Sequence, residues 1–226
     1  MGIVKYRGLI FDILPNKAIL MVLDKDVEHD REKEIEVPTL VNGVPVRKIA
    51  DGAFFQCSMK KWCLPVTIDK IGSRAFGSSA TERIVFYATS VHSGQSIIQV
   101  GDRAFKRCKN LKLFSTMQYI AAEELAFCNC PNLTTEPMRH EMRFSKINNH
   151  AFTSCDSLKE IFIRNGAGVF DNAFTGSAID KIHIDKNVHL PHKAMEYIKN
   201  KNVSIITCKD AEIADLAYDG IHVTVI

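Results

Sequence analysis

An aliphatic residue, three variable positions, Ala-Phe, two further positions and a Cys or Ser recur along this chain as a single unit. Ile49-Ala50-Asp51-Gly52-Ala53-Phe54-Phe55-Gln56-Cys57 opens the series, followed by Ile71 to Ser79 and Val100 to Cys108. A copy with an altered approach, Leu125 to Cys130, precedes Ile147 to Cys155 and Val169 to Ser177, and Leu190 to Met195 reads as a decayed last copy. Phe54/Phe76, Phe105/Phe127 and Phe152/Phe174 each differ by 22 positions, while steps of 29 (Phe76 to Phe105) and 25 (Phe127 to Phe152) mark insertions.

One such unit cannot bury its own apolar face, so it must stack on copies of itself and form a solenoid. Ala allows a tight turn, and each Phe fills the coil interior beside the Phe of its neighbours. The small Cys or Ser three places later suits a crowded buried turn, which makes Cys57, Cys108, Cys130 and Cys155 an expected spine of packed thiols. Short apolar alternations follow, such as Leu158 to Ile163 and Ile179 to Ile184. Period two and β-branched content read as strands. The expected fold is a mainly β repeat solenoid: a right-handed coil with one parallel sheet of short strands, a capping β-hairpin at the N-terminus and a C-terminal cap.

In such a sheet the outward residues line up as a strip, the natural binding surface of a solenoid. Taking the positions on either side of each central inward residue gives Lys61, Cys63, Arg83, Val85, Leu113, Ser115, Thr135, Pro137, Glu160, Phe162, Lys181, His183 and Ser204, with Tyr87 one row further. Bases, apolar groups and aromatics mixed in this way resemble a protein-recognition surface more than a phosphate groove. Two insertions, residues 88–95 and 139–144, escape the stacking constraint and are the other places where function can sit.

The 226 residues are 46% hydrophobic and 24% charged with a net charge of +3, an ordinary globular balance that gives no support to nucleic-acid binding. Asp24 to Glu36 holds seven acids against three bases and reads as a solvated hairpin tip. No run approaches the roughly 18 apolar residues of a membrane helix. Met1 to Gly8 lacks the basic and apolar regions of a signal peptide, so the sequence as it stands is expected in the cytoplasm, and a leader removed from it would place it outside the cell. Seven cysteines, without C-x-x-C pairs, argue against a disulfide scaffold or zinc site. His189-x-x-His192 lacks a third ligand, and Cys128-x-Cys130 has one sulfur in the packed spine. Without a phosphate loop, nucleophile elbow or His-Glu-x-x-His motif, no catalytic residue, metal or cofactor is assigned.

The units resemble the BspA-like leucine-rich repeats of bacteria and some protists, whose pattern is Ile-Gly-x-x-Ala-Phe-x-x-Cys-x-x-Leu-x-x-Ile-x-Ile-Pro. The match runs from about Val44 to Ile206, and Ile147 to Ile163 follows it closely. The lead-in Ile35 to Val46 is similar to that of the family. Residues 1–45 are expected as the N-terminal cap, 46–206 as repeats and 207–226 as a C-terminal cap with a short helix over 210–217 and a last strand over 221–226. The resemblance implies a non-catalytic protein-binding module of the adhesion or host-contact kind, its partner a host or extracellular-matrix protein. An intracellular scaffold or assembly protein is the alternative, and a small metal- or thiol-dependent enzyme a weaker one.

Overall fold

In the computed structural model, which describes residues 2–23, 34–88, 96–135, 142–200, 202–207 and 221–225, each Ala-Phe copy forms a six-residue turn between strands. Two positions of every turn have positive φ: the residue before Ala (Gly52, Arg74, Arg103, Leu125, His150, Asn172) and the second after Phe (Gln56, Ser78, Arg107, Asn129, Ser154, Gly176). The left-handed pair tightens the turn so that its amides point along the solenoid axis. Phe54 N–H donates to the Ala75 carbonyl at 2.7 Å, and the same bond joins Phe76 to Ala104, Phe105 to Ala126, Phe127 to Ala151, Phe152 to Ala173 and Phe174 to Ala194. The last of these places Ala194, in a 3-10 turn over His192–Ala194, in the ladder, so the decayed copy stacks as a further coil.

The alanines of the ladder from Ala75 onward are fully buried, since a larger side chain would push neighbouring coils apart. Inside them the Phe rings stack: Phe76, Phe105, Phe127 and Phe152 lie 5.0–5.2 Å apart at interplanar angles of 4–8°. Phe114 and Phe144 meet this column edge-on at 5.1–5.5 Å, and Trp62 packs edge-on against Phe76 at 5.2 Å. Burial and ring geometry both favour this column, at about 0.5–1.5 kcal/mol per aromatic pair beyond area alone.

The strip strands are β4 (Glu34–Glu36), β7 (Lys61–Pro65), β9 (Arg83–Tyr87) and β11 (Leu113–Ser115), paired parallel as one four-stranded sheet. A second parallel ladder, not expected from the sequence, is formed by the aliphatic run that enters each turn. It contains β3 (Lys17–Leu23), β6 (Val44–Ile49), β8 (Lys70–Ile71), β10 (Ile97–Val100), β12 (Tyr119–Ala122) and β13 (Arg143–Ile147). The long β14 (Glu160–Val169) serves both faces. β13 pairs along both halves of it, at Phe162–Ile163 and at Gly168–Val169, while Glu160–Ile163 also pairs with β15 (Lys181–Ile184), which is followed by β16 (Val203–Thr207) and β17 (Ile221–Val225).

At the N-terminus the structure has three antiparallel strands, β1 (Gly2–Tyr6), β2 (Leu9–Leu14) and β3, one more than a hairpin. β3 turns parallel to β6 and so joins the cap to the coils, burying Leu9, Phe11 and Leu20. A small hairpin, β5 (Leu40–Val41) against β6, turns at Asn42-Gly43, both with positive φ as a two-residue loop requires. Of the charged stretch, 24–33 lies outside the described residues; Glu34 and Glu36 are exposed around buried Ile35. The helix expected over 210–217 also lies outside them, and the last strand forms as β17.

Candidate functional site

Strand registers set the strip. Lys61 pairs with Arg83 and Arg83 with Leu113; Cys63 pairs with Val85 and Val85 with Ser115; Pro65 pairs with Tyr87. Further along, Glu160 pairs with Lys181 and Lys181 with Ser204, while Phe162 pairs with His183. Within each sheet these residues stand side by side in register, where one residue of slip would exchange inward and outward side chains.

Burial divides the strip. Arg83 and Lys181 are exposed, and Lys61, Cys63, Val85, Tyr87, Thr135, Glu160, Phe162, His183 and Ser204 are partly accessible. Ser115 and Leu113 are each only 9% exposed, which corrects their reading as surface residues. β11 is followed at once by the buried corner Thr116 and Gln118, whose amide donates to the Val66 and Ile68 carbonyls at 3.3 and 3.1 Å. Tyr87 is also less available than expected: its hydroxyl donates to the Val37 carbonyl at 2.7 Å and bonds Thr39 Oγ1 at 3.5 Å. It fastens the β4–β5 segment, and burial raises its phenol pKa. Pro137, residues 89–95 and residues 139–141 lie outside the described residues.

The most shaped part of the strip is its C-terminal half. The Phe162 and His183 rings stack at 4.2 Å with an interplanar angle of 11°, and His183 Nε2 lies 2.5 Å from Glu160 Oε1. Beside them opens a cleft of about 270 Å³ lined by Tyr119, Arg143, Phe162, Ile163, Arg164, His183 and Asp185. Arg164 lies over the Tyr119 ring, 4.3 Å from its centre. Two guanidiniums, two flat aromatic surfaces and a carboxylate meet here, the residue types that dominate protein-recognition hot spots.

Tyr119, Arg143, Arg164 and Asp185 were not picked out as strip residues. Arg143 falls at the edge of the 139–144 insertion, and its pairing with Phe162 through β13 and β14 brings it to the strip. Tyr119 comes from the second ladder, so nothing in the linear pattern announces it.

The thiols belong to the interior. Cys57, Cys108, Cys130 and Cys155 are buried, as is Cys128, and the described cysteines are free thiols. Each spine sulfur from Cys108 onward donates to a Phe carbonyl of the preceding coil: Cys108 to Phe76 at 2.9 Å, Cys130 to Phe105 at 3.1 Å and Cys155 to Phe127 at 3.2 Å. Burial pushes the Cys108 thiol up to about 11 and those of Cys130 and Cys155 well above the ordinary range. Cys63, on the strip, is raised by burial and then by Glu34 and Glu36 on the adjacent strand. None of these shifts favours the nucleophilic thiolate. His189 and His192 are both exposed, and among the described residues no three His, Cys, Asp or Glu side chains are grouped to hold a metal ion.

Stacked coils, an Ala-Phe turn in each and an outward strand strip define a leucine-rich-repeat solenoid. The chain belongs to the BspA type leucine rich repeat family, whose profile matches six copies over residues 33–93 and 85–202. Among solved structures it is similar to a leucine rich cell surface protein of Faecalibacterium prausnitzii (22% identity, TM-score 0.67, covering 94% of this chain and 55% of that one). It is also similar to the T. pallidum leucine rich repeat protein (19%, 0.51, 80% and 85%) and to a leucine-rich repeat protein of Bacteroides ovatus (14%, 0.52, 98% and 67%). The chain thus spans little more than half the length of the F. prausnitzii protein. No curated protein sequence matches it significantly.

Proposed function

We propose that this chain is a non-catalytic binding module that captures another protein on the strand strip, with the Phe162–His183 cleft as its centre. The observation that carries this reading is the cleft itself: stacked Phe162 and His183 flanked by Arg143, Arg164 and Tyr119 on neighbouring strands of one sheet. Aromatic and Arg side chains held by strands bind with little loss of side-chain entropy. The neighbouring pair Glu160 and Lys181 supplies the polar rim. Family membership, together with a structural neighbour described as a cell surface protein, supports an adhesive or host-contact role toward a host or extracellular-matrix protein. Within the described residues no helix is long and apolar enough to cross a membrane.

The test uses immobilised full chain to capture proteins from extracellular-matrix and cell extracts. Phe162→Ala, His183→Ala and Lys181→Glu combined should remove the specifically retained proteins while the circular dichroism spectrum is unchanged. Retention equal to that of the unaltered chain would overturn the reading.

A further inference from the structure

On the turn side of the solenoid, a different face from the strip, the copies differ in a way that opens a groove. The position after Phe is Phe55 in the first coil, Gly77 in the second and Lys106 in the third; the next is Gln56, Ser78 and Arg107. Two small residues between larger neighbours leave a notch of about 240 Å³ lined by Phe55, Arg74, Gly77, Ser78, Arg103, Lys106 and Arg107. Phe55 is 50% exposed, unlike the phenylalanines of the interior column. A Cβ at Gly77 would stand 3.1 Å from the Phe55 ring, so glycine is what lets that ring lie across the notch.

Four bases line the notch together with this ring. Arg103 is engaged by Asp102 and lies 4.0 Å from Glu124. Arg74, Lys106 and Arg107 form no ion pair among the described residues, which leaves an excess of positive charge around an apolar floor. Cations in excess of the neighbouring carboxylates make the notch attractive to an anionic ligand.

We infer that this notch binds an acidic protein segment, with carboxylates on Arg74, Lys106 and Arg107 and an apolar side chain seated on Phe55. The volume is below the roughly 300–1,000 Å³ of small-molecule sites, so it accommodates a side chain of a larger ligand and not a whole cofactor. Guanidinium forks match carboxylate geometry. Single-stranded nucleic acid is disfavoured, because one exposed aromatic cannot stack successive bases and the charge extends over only two coils. The inference does not depend on the strip, since no residue is shared between the two surfaces.

The experiment measures fluorescence anisotropy of labelled Glu-Glu-Leu-Glu-Glu titrated with the full chain at low salt. Lys106→Glu with Arg107→Glu is expected to weaken binding at least tenfold. Phe55→Ala should weaken it severalfold for this peptide but leave Glu-Glu-Ala-Glu-Glu unaffected, and strip substitutions should change neither. These side chains are solvent-accessible, and circular dichroism verifies that each variant folds. Binding unaffected by the double reversal, or absent in the unaltered chain, overturns the inference. So does tighter binding of a heparin fragment or a single-stranded oligonucleotide that ignores Phe55→Ala, which would mark a general polyanion surface.

Discussion

At the residue scale the Cys-or-Ser position explains itself once the thiol bonds are seen. Three successive coils use an S–H to bond the Phe carbonyl of the coil before, a side-chain hydrogen bond that crosses the stack in addition to the backbone ladder. Ser177 occupies the same slot in the sixth coil, yet its hydroxyl is buried without a partner among the described residues. A buried unpaired hydroxyl costs about 1–3 kcal/mol, and the longer C–S bond of a thiol extends further toward the Phe152 carbonyl. Ser177→Cys should therefore raise stability by about 1 kcal/mol in urea unfolding, and a neutral or destabilising result would mean the slot does not act as described. The same burial makes the thiols pH-sensitive. Cys108 ionises near 9 when unfolded but near 11 when folded, so its protonated form is favoured by folding. The stability it contributes is fully present below pH 9 and falls as pH rises through 11, because the unfolded chain loses the proton first. Chemical denaturation at pH 8 and pH 10.5 should show that loss, and Cys108→Ser should reduce the difference while the other buried thiols keep their share.

Elements were unequally legible. The turns and strip strands could be read because each carries a repeated signal, Ala-Phe for one and period-two alternation for the other. β8 could not: Lys70–Ile71 is too short for any period to show, and its Ile reads equally well as the entrance to a turn. What makes it a strand is its position between β6 and β10, a property of the stack and not of the segment. The cleft was half visible for the same reason. Phe162 and His183 follow from alternation, whereas Tyr119 comes from the second ladder and Arg143 from the edge of an insertion. The entrance to the turn also fixes the distance between coils. A Cβ on Gly72 would fall 2.6 Å from the Ala50 carbonyl carbon and the Asp51 nitrogen, and one on Gly101 2.9 Å from backbone atoms of Ile71, Gly72 and Ser73. Backbone cannot yield as a side-chain tip can, so Gly72→Ala should cost about 2–3 kcal/mol, the upper part of the overpacking range. Gly43→Ala, at positive φ but with nothing within 4 Å, should cost only about 1 kcal/mol. Denaturation midpoints of the two variants check the order, and a reversed order would place the strain in backbone conformation instead of coil spacing.

At the scale of the whole molecule the stack is nearly one-dimensional, so its stability is a sum over neighbouring coils and its weak points are its two ends. The larger sheet runs unbroken from β1 to β17, and an open parallel strand at either end is a template for another chain. The N-terminal end is closed by reversing direction: β1 and β2 are antiparallel, and β2 lays Leu9 and Phe11 into the core beside Leu20. β1, the edge so produced, carries Lys5, and charge on an edge strand opposes pairing with another chain. Removing residues 1–15 would leave β3 as a bare parallel edge with the core side chains behind it uncovered. The repeats themselves should still stack, because none of the contacts among the Ala-Phe turns involves the deleted strands. Near-native β-sheet circular dichroism, combined with stronger concentration-dependent self-association in sedimentation velocity than the full chain shows, is the expected outcome. Loss of the β-sheet signal would mean that the antiparallel strands are required for the coils to form. Unaltered sedimentation would mean that the β3 edge is protected without them.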